Sequence, residues 1–89
     1  MRKMTNAVQE IIDGIKTGRV FDAHFVISQI IKHHSDLYIH FAGTNETTNH
    51  MHSRIAKMIK RFSVKPLPQQ SWSENIHGIP SECSLWEKF

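Results

Sequence analysis

This chain has one cysteine, Cys83, in 89 residues, so it can form no internal disulfide and a reducing compartment is expected. It also lacks any apolar run long enough for a secretory leader or a bilayer span, which predicts a cytoplasmic location and no membrane partner. No glycine-rich phosphate loop is present. The carboxylates Asp13, Asp22, Asp36, Glu46 and Glu74 are scattered, without the pairing that acid–base catalysis or a metal-dependent nuclease needs. Neither an enzyme nor a cofactor is expected. No repeat, low-complexity tract or linker divides the sequence, and its length suits one small domain, 1–89, around a modest core.

What the chain does have is concentrated between Thr44 and Phe62. Met51, Ile55, Met58, Ile59 and Phe62 recur at helical spacing. At about 100° per residue, the opposite face gathers Asn49, His50, Ser53, Lys57, Lys60 and Arg61, with Arg54 at its flank. Every group on that face donates hydrogen bonds or carries positive charge. Asn45, Thr47 or Thr48 can cap the helix, and Glu46 suits its positive end. Between 44 and 65, Arg54, Lys57, Lys60, Arg61 and Lys65 stand against Glu46 alone, a net +4 in a chain whose total is +3. The positive charge therefore belongs to one element, and that element reads as the footprint of an anionic partner.

In chain order, residues 1–4 are expected to be a frayed tail. Ala7, Val8, Ile11, Ile12 and Ile15 predict a first helix, capped by Thr5 or Asn6 and stopped by Gly18. Arg19-Val20-Phe21 suits a short strand. Asp22 is placed to cap a second helix, about 23–34, with Phe25 or Val26, Ile27, Ile30 and Ile31 inward. Ser35 restarts one or two helical turns through Leu37, Tyr38 and Phe41, ended at Ala42-Gly43. After the basic helix, Pro66 and Pro68 force an extended segment. A turn-rich stretch around Gly78 and Pro80 follows, and Leu85, Trp86 and Phe89 suit a closing strand. The expected class is α+β, three to four helices followed by a C-terminal two-stranded hairpin.

This order resembles the winged helix-turn-helix superfamily, in which a three-helix core is followed by a hairpin wing and the third helix enters the DNA major groove. The small size is similar to that of compact DNA-binding proteins of prokaryotic and prophage genomes. The resemblance implies that the recognition helix is 47–62 and the wing 63–89. It implies base contacts from Asn49, His50 and Ser53, since Asn pairs bidentately with adenine. Phosphate contacts would come from Lys57, Lys60 and Arg61, joined by Arg54 and Lys65, with Thr47 and Thr48 near the helix start. Two features depart from that pattern. The segment 35–44 is longer than a tight turn, and the implied wing is acidic, with Glu74, Glu82 and Glu87 against Lys88 from 66 to 89.

Seven histidines raise the question of a metal. His50 and His52 point about 200° apart on a helix and cannot share an ion there, and His33-His34 has the same defect. His77 and Cys83 lack a second ligand pair spaced like a zinc knuckle. No metal site is expected. Cys83 beside Glu82 lacks the electropositive setting of a reactive thiol and is expected to be buried. Trp86 is expected in the core. Trp72 more commonly folds over a small core, but exposed it would anchor a protein partner through loop 69–82.

The expected function is non-enzymatic binding of double-stranded DNA, as a small transcription regulator or accessory factor, with a homodimer through helix 5–17 or the acidic end. The alternative is a protein-interaction module of the same fold, such as a phage-type inhibitor or adaptor, whose basic helix meets an acidic protein surface.

Overall fold

Asp22 closes the first strand and opens the second helix, and the sheet and helices meet at that corner. The computed structural model describes residues 3–42, 48–75 and 78–89, with the side chains of 41, 42 and 48–50 outside that description. These residues form an α+β fold. The helices are α1 (Met4–Asp13), α2 (Ala23–His33), α3 (Ser35–Ala42) and α4 (Thr48–Ile59). The strands are β1 (Val20–Asp22), β2 (Val64–Pro66), β3 (Ser71–Glu74), β4 (Pro80–Cys83) and β5 (Leu85–Lys88).

The first helix starts earlier and stops sooner than its sequence suggests. Met4, expected in a frayed tail, is buried, while Lys3 takes the cap position with no side-chain bond. Thr5 and Asn6 lie inside the helix and cap nothing. Burying Met4 in line with Ala7, Val8 and Ile12 removes more apolar surface from water than a later start would. The helix gives out at Gly14, not Gly18. Gly18, at φ 88°, instead turns the chain into β1, and its N–H donates to the Lys88 carbonyl at 2.7 Å. That left-handed backbone favours glycine.

Asp22 caps α2 as its position predicts, accepting at Oδ1 from the Phe25 N–H at 2.7 Å. Val26, Ile27 and Ile30 are buried, and Phe25 and Ile31 pack at their edge. Leu37 carries α3 into the same cluster, and α1 packs on both α2 and α4.

β5 runs between β1 and β2, antiparallel to both. Trp86 stands opposite Phe21 on one side and Pro66 on the other, and it is 1% exposed. Its ring stacks on Phe21 with centroids 6.0 Å apart. Trp86 thus covers the open side of the helices, as expected of it. Lys88 lies on the same side of the strand, its stem buried.

The C-terminal third corrects the sequence reading. One two-stranded hairpin around a loop was expected; four strands lie there, in two sheets. β2 pairs with β5, but much of the stretch 69–82 folds into a hairpin of its own, β3 on β4, with Trp72 opposite Glu82 and Ser73 opposite Ser81. Polar turn formers hid a period of two: Ser71, Ser73, Ser81 and Cys83 are half-buried, and Trp72, Glu74, Pro80 and Glu82 are exposed. Asn75 helps close the turn, its side chain accepting from the Ile79 N–H at 3.2 Å and its carbonyl from the Gly78 N–H at 3.0 Å. Phe89, expected in the closing strand, lies just beyond β5 and is exposed.

Candidate functional site

The two faces of α4 separate as its periodicity predicts. Met51, Ile55 and Ile59 are at most 2% exposed, against the exposed Ser53 and Lys57. The helix is shorter than the expected 47–62. It ends at Ile59, and a tight turn follows, in which the Arg61 N–H bonds the Met58 carbonyl at 3.1 Å and the Phe62 N–H the Ile59 carbonyl at 3.2 Å. The helix yields because the chain must reverse to bury Val64 and pair it with Lys88. Lys60 and Arg61 therefore extend from a turn, both exposed.

Lys57, Lys60, Arg61 and Lys65 are all exposed, and Arg54 is half-buried beside them. Arg54, Lys57, Met58 and Arg61 line a shallow depression of about 240 Å³. No carboxylate occurs from 47 to 73, so along the sequence these cations have no neighbouring negative charge. In the sheet, Lys65 stands across from Glu87 on β5. Of the other expected contact residues, Thr47 lies outside the described residues. Thr48, Asn49 and His50 belong to α4 by their backbone, and their side chains lie outside the description.

A bond from α3 steadies this helix. Tyr38 Oη and His52 Nε2 are 3.0 Å apart, and burial pushes the Tyr38 phenol above its ordinary pKa. His52 is thus engaged with a tyrosine in the interhelix contact. His34 meets Glu10 of α1 at 3.5 Å.

A second polar group was not anticipated by the sequence. Asp22 Oδ2 accepts from Ser71 Oγ at 2.7 Å and from Ser73 Oγ at 2.9 Å. Ser73 Oγ is also 2.7 Å from His24 Nδ1, and Ser81 Oγ is 3.4 Å from His24 Nε2. With the Ser73 proton on Asp22, the imidazole is the donor at Nδ1. Burial alone would raise the Asp22 pKa. The bonds from Ser71, the Phe25 N–H and Ser73, together with the nearby His24, outweigh it and hold the carboxyl below its usual value. Cys83 joins this group and is half-buried, less enclosed than expected. A histidine two residues after the cap aspartate, at a helix start, was the one local signal of this cluster.

The hairpin's outer side carries Trp72, 68% exposed, between strand positions that present Glu74 and Glu82. Trp72 does not fold over the core. No helix among the described residues is long and apolar enough to cross a membrane.

Fold and surface together define a small α+β domain with a cationic helix face and an acidic, tryptophan-bearing hairpin. No protein-family model matches the chain, nor does any curated protein or solved structure.

Proposed function

We propose that this chain is a winged-helix-like, non-enzymatic DNA-binding domain, a small transcription regulator or accessory factor of prokaryotic or prophage type. Helix α4 enters the major groove, with Lys57, Lys60, Arg61 and Lys65 on phosphates and Arg54 at the flank. Asn49, His50 and Ser53 are assigned to base edges. The observation that carries the reading is the exposed cation series on α4, the turn after it and β2, behind which Met51, Ile55 and Ile59 anchor the helix in the core. The element order supports it too: apart from the short β1 after α1, the helices come first, and antiparallel strands that include a separate hairpin follow.

The experiment is fluorescence anisotropy of a labelled random-sequence duplex titrated with the protein at several salt concentrations. Micromolar affinity whose logarithm falls with log[salt] at a slope of about −4 is expected for four or five phosphate contacts. No binding at low salt rejects the reading.

One observation favours a second reading. Trp72 stands exposed on the same face as Glu74 and Glu82, and an exposed tryptophan is a common anchor for a protein partner. On that reading the chain is an interaction module, an adaptor or inhibitor, and the hairpin makes the contact.

A further inference from the structure

Aspartate, histidine and cysteine side chains converge from the two ends of the fold. Asp22 ends β1, His24 lies in the first turn of α2, and Cys83 ends β4. One donor atom from each lies within 4.8 Å of the other two, and all three residues are half-buried. We propose that Asp22, His24 and Cys83 form a metal site for zinc or a divalent ion of similar softness, tying the β3–β4 hairpin to the corner between β1 and α2.

The donor set carries the choice of ion. Carboxylate oxygen, imidazole nitrogen and thiolate sulfur are the donors zinc takes, and a thiolate disfavours magnesium and calcium. Bonds of about 2.0–2.3 Å in a tetrahedron set the donors about 3.3–3.8 Å apart, so the site closes by about 1 Å, a distance side-chain rotation covers. Three protein ligands leave the fourth position to water. An outer layer is in place: Ser71 and Ser73 donate to Asp22, and Ser73 also meets the His24 ring. Such partners orient ligands and tune affinity. Binding forms a metal–sulfur bond and releases the Cys83 thiol proton to solvent. The histidine pairs of the sequence do not enter this site; its ligands are distant in sequence and meet only through the hairpin.

The same side chains could clamp the hairpin by hydrogen bonds alone, and cobalt separates the two accounts. Chelator-treated full-length protein is titrated with Co²⁺ alone at neutral pH. The expected result is one equivalent bound, with a thiolate-to-cobalt charge-transfer band in the near ultraviolet and tetrahedral d–d bands, both bleached by Zn²⁺. Cys83→Ser abolishes the charge-transfer band, and His24→Gln weakens binding. Joint Ser71→Ala and Ser73→Ala lowers affinity by about 10–100-fold. Wild-type protein alkylated at Cys83 gives the same loss of the band without a substitution. The proposal is overturned if no cobalt spectrum appears, if cobalt binds without a thiolate band, or if the band survives when urea unfolds the protein. DNA binding is not the readout, so this test and the anisotropy titration fail independently.

Discussion

Ser71 Oγ donates to Asp22 Oδ2 at 2.7 Å across 49 positions of sequence. One carboxylate thereby caps α2 with one oxygen and holds the hairpin with the other.

Its pH dependence follows. The Asp22 pKa is lowered in the folded chain, so as pH falls the unfolded chain takes up the proton first. The stabilisation is complete above the unfolded value, about 3.9, and is lost as pH falls through the folded one. Urea midpoints of wild type and Asp22→Asn are expected to differ at pH 7 and to converge on acidification below about pH 4. Parallel profiles would remove the carboxylate from this role. Asp22→Ala, which also loses the cap, is expected to cost about 1–2 kcal/mol at neutral pH.

Ile55 is fully buried where α4 enters the core. Ile55→Ala is expected to destabilise by about 2–5 kcal/mol, against a total near 5–15 kcal/mol for a domain. Chemical denaturation followed by far-ultraviolet circular dichroism measures it.

Lys57 and Lys60 are exposed, and replacing both with alanine is expected to leave the unfolding midpoint within experimental error. DNA affinity should fall for every duplex sequence, with the salt slope flatter by about two. An unchanged slope would take these lysines off the phosphates.

The two tryptophans report opposite environments, Trp72 at 68% exposure and Trp86 at 1%. Trp72→Phe is expected to leave a blue-shifted emission that acrylamide quenches weakly, with stability altered by about 0.5 kcal/mol or less. A protein partner held by the hairpin would be lost with Trp72→Ala and kept with the double lysine variant. The DNA reading predicts the reverse.

Gly18 sits at φ 88° with open space where a Cβ would project. Gly18→Ala is therefore expected to cost about 1–2 kcal/mol from backbone strain alone, visible as a lowered thermal midpoint.

What the sequence determined by itself is local. Period-3.6 stripes announced the helices, Asp22 announced the start of α2, and the split of Met51, Ile55 and Ile59 from Lys57 was legible because side-chain direction along a helix is set by its pitch. Trp86 as core followed from its size and from its place beside Leu85 and Phe89 in the closing stretch. Tertiary structure decided the rest. The ends of α1 and α4 were set by what each terminus could bury or had to pair with, against weak caps that propensity alone would have chosen. The β3–β4 hairpin escaped notice because its inward face is serine and cysteine, and polar alternation carries no hydrophobic signal. The cluster of Asp22, His24 and Cys83 exists only once that hairpin lies on the corner of β1 and α2. Donor atoms far apart in the chain meet through packing, and packing is not written in the spacing of residues.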